Sequence, residues 1–178
     1  PVVYALLSKL FVRDGRMLAI VADDGQATLD GGGSIGPILT FLKGADVVLA
    51  NLRLRNGNCT GSCEGGAVYS YMSTVVMRTC TFDGNRAPWG GAVSIDGGTM
   101  VMRTCTFDGN HAALWGGAIS AELGSKMTVH DCTFTDCSAE LGGGAISGGS
   151  TVITIRSSAL MNNRAGEVSL GHAAWITP

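Results

Sequence analysis

An all-β, right-handed parallel β-helix (solenoid) of roughly six coils is the fold the sequence predicts, on three observations. Two motifs recur at one shared period, apolar and polar residues alternate ahead of each recurrence, and the 27 glycines return at fixed places in the period instead of forming a tract. Thr79-Cys80-Thr81-Phe82-Asp83-Gly84-Asn85 comes back unchanged as Thr104-Cys105-Thr106-Phe107-Asp108-Gly109-Asn110, 25 positions on. Decayed copies, Asp131-Cys132-Thr133-Phe134-Thr135-Asp136-Cys137 and Ser157-Ser158-Ala159-Leu160-Met161-Asn162-Asn163, follow at intervals of 27 and 26. Between them lie Gly65-Gly66-Ala67-Val68, Gly90-Gly91-Ala92-Val93, Gly116-Gly117-Ala118-Ile119 and Gly143-Gly144-Ala145-Ile146.

Taken from the N-terminus, the first element is residues 1–14. Val3, Leu6, Leu7, Leu10 and Phe11 have helical spacing, which reads as an amphipathic cap over the open end of a stack, with an incomplete first coil as the alternative. Residues 15–178 form the β-helix domain. Ala27 to Gly33 ends one coil, and Asp46 to Gly57 forms the next, with Val48, Leu52 and Leu54 at core positions. From there the alternation is clean. Val75, Met77, Cys80 and Phe82 face one way, Arg78 and Thr81 the other, which is strand periodicity. Short strands of this kind bury a face only by stacking, each pairing in parallel with its own copy about 4.8 Å away, so like residues form columns. The crossover rule makes such a coil right-handed.

Each motif residue then has a structural role. Phe82, Phe107, Phe134 and Leu160 form an apolar stack, and Cys80, Cys105 and Cys132 fill a narrow inner column as small hydrophobes. Asn85, Asn110 and Asn163 suit a left-handed turn and can bond along the stack, a ladder that Cys137 interrupts. The Gly-Gly pairs supply positive φ at a corner, and the Ala after them passes beneath the next coil. Trp175 and Ile176 are candidates to cap the far end, and His172 reads as structural.

Composition bounds the function. With 46% hydrophobic and 15% charged residues the chain has a continuous core. A net charge of -2 gives no general reason to bind nucleic acid, which needs clustered cations. No apolar run reaches the ~20 residues of a membrane helix. The chain opens at Pro1 without a Met or a leader, which leaves a removed signal peptide and a fragment as alternatives.

Candidate site residues come from the columns and the cysteines. Arg78, Arg103, His130 and Arg156 share one outward column, either a cationic stripe for an acidic polysaccharide or solvated charge balanced by Asp83, Asp108 and Asp131. Trp89 and Trp115, each just before Gly-Gly, stack at one edge, as a sugar platform, a partner hot spot or local packing. Cys59 and Cys63 lie in one loop, close enough for a disulfide, which fits an oxidising compartment. Zinc is disfavoured there because no second Cys or His pair accompanies them, and no cofactor is implied.

The pairing of Gly-Gly-Ala-Val or Gly-Gly-Ala-Ile with Phe-x-x-Asn resembles the repeats of chlamydial polymorphic membrane proteins and, more widely, pectin-lyase-like β-helix proteins, over about residues 18 to 165. Phe82 with Asn85 and Phe107 with Asn110 match fully; Phe134 with Cys137 and Leu160 with Asn163 each depart at one position. The resemblance implies a surface-exposed, adhesin-like or structural protein with a protein or glycan partner, extracellular or on the cell surface. An alternative is a subunit of an extracellular filament, associating end to end or laterally. A lyase or glycosidase of the pectin-lyase-like fold is a further alternative, but glycosidases need two opposed carboxylates, and Asp23, Asp24, Asp30, Asp83 and Asp108 read as turn or repeat residues; the expectation is a non-enzyme. Ice binding is the last alternative, from outward Thr79-x-Thr81 and Thr104-x-Thr106 rungs, interrupted at Asp131 and Ala159.

Overall fold

In the computed structural model the described residues are 3–5 and 8–166. They wind into a parallel β-helix of about six turns, with no helix among them. One full winding shows the plan. Val68–Arg78 pairs with Val93–Arg103, Thr81–Asp83 with Thr106–Asp108, and Arg86–Trp89 with His111–Trp115, all parallel. Repetition builds three sheets: a large one from the Val68–Arg78 type of strand, a seven-stranded one from the Thr81–Asp83 type and a four-stranded one from the Arg86–Trp89 type. The register follows the sequence period, with Val68 opposite Val93 and Phe82 opposite Phe107, then Phe107 opposite Phe134 and Phe134 opposite Leu160.

Corners come from left-handed residues. In this winding they are Met72 (φ 49°), Thr79 (54°), Gly84 (60°) and Gly90 (59°), and in the next Gly97, Thr104, Gly109 and Gly116. Each coil therefore has four faces, and the long strand is two arms meeting at Met72. Only the last corner is glycine in every copy, as Gly65, Gly90, Gly116 and Gly143. The second Gly of each pair is needed for close approach instead, since a Cβ on Gly91 would lie 2.2 Å from the Gly117 carbonyl oxygen of the coil above. The following Ala67, Ala92 and Ala118 are buried.

Inside, Phe82, Phe107 and Phe134 stack with ring centroids 4.7 and 4.6 Å apart and planes within 6°, so the strand spacing doubles as the ring spacing. Leu54 continues the stack below Phe82, and Leu160, opposite Phe134, is half exposed. The Cys80, Cys105 and Cys132 thiols are buried, and so is Cys137.

Four expectations need correction. The N-terminal segment is not helical: Val3–Ala5 pairs with Ala27–Asp30, and Leu10–Arg13 with Leu39–Leu42. The open edge of the stack offers unpaired N–H and C=O groups, which an extended segment satisfies and a helix, already bonded to itself, does not. The ladder asparagines are not the left-handed residues; those are Gly84, Gly109, Asp136 and Asn162, one position earlier. Asn85 and Asn110 instead point inward, fully buried: Asn110 Oδ1 accepts from Asn85 N and Nδ2, both at 3.0 Å, while Asn110 Nδ2 donates to Phe82 O at 3.0 Å. Val48 faces out, and Val47 and Leu49 hold the core positions, because the corner at Asn51 resets the alternation before Leu52. The flat Thr-x-Thr rungs do not form, since Thr79 and Thr104 are corner residues and only Thr81 and Thr106 lie in the sheet. The Trp175–Ile176 cap and His172 lie outside the described residues.

Candidate functional site

The face built from the second arm of the long strand carries the arginine column. Arg78 stands opposite Arg103, Arg103 opposite His130, and His130 opposite Arg156, in successive rungs. His130 Nδ1 is 2.8 Å from the Asp131 carboxylate. Asp83 is taken by Arg53 instead. Among the described residues no carboxylate lies within ion-pair distance of Arg78, Arg103 or Arg156, so Asp83, Asp108 and Asp131 make no direct ion pair with them.

Beside that column runs Ala19, Val48, Val76, Val101, Thr128 and Thr154, and beyond it Met17, Asp46, Thr74, Thr99, Lys126 and Val152. Among the described residues Asp46 is the one carboxylate at the outward positions of this face. Lys126, exposed on it, is a cation the repeat motifs did not flag; its place in the period, four residues before His130, was the available signal. The N-terminal end of the face is apolar, with Met17 84% exposed.

Trp89 and Trp115 sit opposite each other in neighbouring coils, half buried, at the edge of the four-stranded sheet. The Trp115 indole lies so close over Gly142 that a Cβ there would be 2.5 Å from it. They are separated from the arginine column by the Thr81–Asp83 face, so the chain does not bring these two groups of candidates together. Cys59 and Cys63 are joined by a disulfide with Cα atoms 5.8 Å apart, in the loop that leads to the Gly65 corner. In the inner column, hydrogen bonding with Cys132 and Cys80, together with burial, pushes the Cys105 thiol up; burial does the same for Cys137.

A second constellation escaped the sequence reading. On the other arm of the long strand, Tyr71, Asp96 and Glu122 form an outward column and Tyr69, Ser94 and Ser120 another. Tyr69 donates its hydroxyl hydrogen to Asp96 Oδ2 at 3.2 Å, and Ser94 Oγ donates to Glu64 Oε2 at 2.8 Å. Burial pushes the Glu64 carboxyl up, and the Asp96 and Glu122 charges add to this against the Ser94 hydrogen bond. Next to Glu64 and Tyr69 opens a cleft of about 310 Å³. Acidic residues at one place in the period were legible, but Glu64 reaches them only because its loop folds over the sheet.

On the four-stranded sheet His111 Nδ1 and Ser138 Oγ are 3.0 Å apart, and His111 Nε2 is 3.9 Å from Glu140. The backbone N–H groups beside them are already committed, Ser138 N to Asn110 O, Glu140 N to Ala112 O and Leu141 N to Leu114 O, so they offer no donor to an oxyanion. Among the described residues no group of three or more His, Cys, Asp or Glu is placed to hold a metal ion. Nor is any helix there long and apolar enough to cross a membrane, a statement about helices alone.

The model of a protein family described as a right handed beta helix region matches residues 39–176. No curated protein and no solved structure matches the chain.

Proposed function

Because the chain belongs to the right-handed β-helix family, whose coils hold like side chains in columns, we propose that it is a non-catalytic binding rod, displayed outside the cell, that grips an anionic partner along Arg78, Arg103, His130 and Arg156. One observation carries this reading: three arginines and a histidine stand in register on one face, and no carboxylate among the described residues pairs with the three arginines. Rungs about 4.8 Å apart suit a polymer whose charges recur at a similar spacing, so an acidic polysaccharide lying along the rod axis is the favoured partner.

The Cys59–Cys63 disulfide supports an oxidising compartment, and the resemblance of the Gly-Gly-Ala and Phe-x-x-Asn repeats to chlamydial surface proteins supports display. Binding rather than cleavage is supported by the carboxylates. Glu64 and Asp96 are held by Ser94 and Tyr69 on one sheet face, whereas glycosidase carboxylates flank a sugar bond from opposite sides.

The test is binding of a polyuronate and of a sulfated polysaccharide by calorimetry across a salt series. A cationic column predicts affinity that falls as salt rises, because counterions are released. Arg78→Glu with Arg103→Glu should weaken binding at least tenfold at low salt. Unchanged affinity in that variant, or turnover of the polymer, would refute the proposal. Should sedimentation show end-to-end assembly with no polymer binding, the filament reading takes its place.

A further inference from the structure

The cleft beside Glu64 lies on a different face from the arginine column and has the opposite character. Its lining includes an outward column in which Phe11, Thr40 and Tyr69 stand opposite one another in successive rungs, with Ser94 next in register beyond it. Thr40 is therefore held between two aromatic side chains about one strand spacing away on either side. Its neighbours along the strand, Leu39 and Phe41, point into the core, so the Thr40 side chain faces out into the cleft that it lines. It is only 4% exposed, and its Oγ1 has no hydrogen-bond partner. A buried hydroxyl without a partner is costly and uncommon, and here it belongs to a side chain that lines the cleft.

One wall is acidic. Glu64 lines it from the corner loop, held by Ser94, and Asp96, buried behind the lining, is held by the Tyr69 hydroxyl. Neither carboxylate has a cation within ion-pair distance among the described residues. Lys9 lines the mouth and is exposed, where its flexible stem keeps the ammonium in water. Phe11 and Tyr69, on either side of Thr40, line the cleft with aromatic rings, a kind of group that attracts cations.

We propose that this cleft binds an organic cation, an ammonium or guanidinium group on a short alkyl chain. The aromatic rings take the alkyl chain and the face of the cation, Glu64 and Asp96 supply the countercharge, and Thr40 Oγ1 accepts one N–H. About 310 Å³ is at the small end of ligand pockets, which fits a single side chain or a small diamine and not an oligosaccharide.

Calorimetric titration of the full chain tests this with arginine amide and its neutral isostere citrulline amide, both acetylated at the α-nitrogen so that only the side chain differs in charge, and with putrescine. Arginine amide should bind at least tenfold more tightly than citrulline amide. Glu64→Gln should weaken arginine amide at least fivefold and Thr40→Val severalfold, with the thermal transition of each variant close to wild type. Intermolecular nuclear Overhauser contacts from the alkyl chain to the Phe11 and Tyr69 rings give a check that needs no variant. Putrescine binding as well as arginine amide assigns the site to small amines, and failure of putrescine assigns it to basic side chains of a protein partner; both support an organic-cation site. Equal affinity for the charged and neutral amides, binding that survives Glu64→Gln, or binding of neutral monosaccharides in the cations' place would overturn it. Arg78→Glu with Arg103→Glu should leave this site unaffected, so it and the arginine column fail independently.

Discussion

Replacing Cys137 with Asn should stabilise the protein, because it completes a ladder the sequence breaks. Where the ladder is intact, Asn110 Oδ1 accepts from the Asn85 backbone N–H and side chain, and Asn110 Nδ2 donates to Phe82 O, all at 3.0 Å. One coil on, Cys137 occupies the equivalent position. Its sulfur meets Asn110 Nδ2 at 3.9 Å and Phe107 O at 3.7 Å, long contacts to a poor acceptor and donor. Above it, Asn163 Oδ1 already accepts from Cys137 N at 3.0 Å, so the backbone there is placed as in the intact coils. An amide side chain at this position would exchange three weak sulfur contacts, the third to Thr135 O at 3.4 Å, for amide hydrogen bonds, each contributing about 1 kcal/mol net. Allowing for the burial of a larger polar group, the gain should be about 1–2 kcal/mol. For a chain of 178 residues that is a rise of roughly 3–6 °C in the thermal midpoint. Urea unfolding followed by circular dichroism, alongside calorimetry, measures it. Asn110→Ala is the mirror control: it strands the Asn85 N–H and the Phe82 carbonyl in the core and should cost about 2–5 kcal/mol. A Cys137→Asn protein no more stable than wild type would refute the claim that amide bonding along the stack stabilises the coil.

Three further perturbations probe other parts of the coil. Ser70 faces the core between Phe41 and Ile95, and its Oγ has no partner; Ser70→Ala should therefore raise stability by about 1 kcal/mol in urea unfolding, and a loss would mean the hydroxyl is satisfied. Thr79 is a β-branched residue at φ 54°, so Thr79→Asn should gain roughly 1 kcal/mol, read as a higher thermal midpoint; a drop would show that the Thr side chain secures the corner. Gly91→Ala places a methyl 2.2 Å from the Gly117 carbonyl oxygen and should cost about 3 kcal/mol by prising two coils apart; a near-wild-type midpoint would show that the stack yields easily.

How much was legible depends on which symmetry a residue obeys. Phe82, Phe107 and Phe134 share a place in the period and an alternation phase, which is enough to put them in one stack, and the same logic puts Arg78, Arg103, His130 and Arg156 on one outward column. Translation along the rod maps directly onto repetition in the chain. Corners were harder. Thr79, Thr104 and Met72 are left-handed although their residue types do not announce it; they are held there because stacked coils must all turn at the same level. The N-terminal strands were hidden for a related reason, since the helical spacing of Val3 to Phe11 is local and the edge that recruits it is not.

Residue types and their period, by themselves, determined the parallel stack, its inner columns and the cationic face, because each follows from a repeat lying over its own copy. Only the tertiary structure decided where the four corners fall, that Glu64 leans over Ser94 beside Asp96, and that Thr40 is closed in between Phe11 and Tyr69. The Glu64 contact joins residues at unrelated places in the period, through a loop that leaves the coil and folds back on it, and the Phe11–Thr40–Tyr69 column runs through early coils that lack the repeat motifs, so no motif marks either.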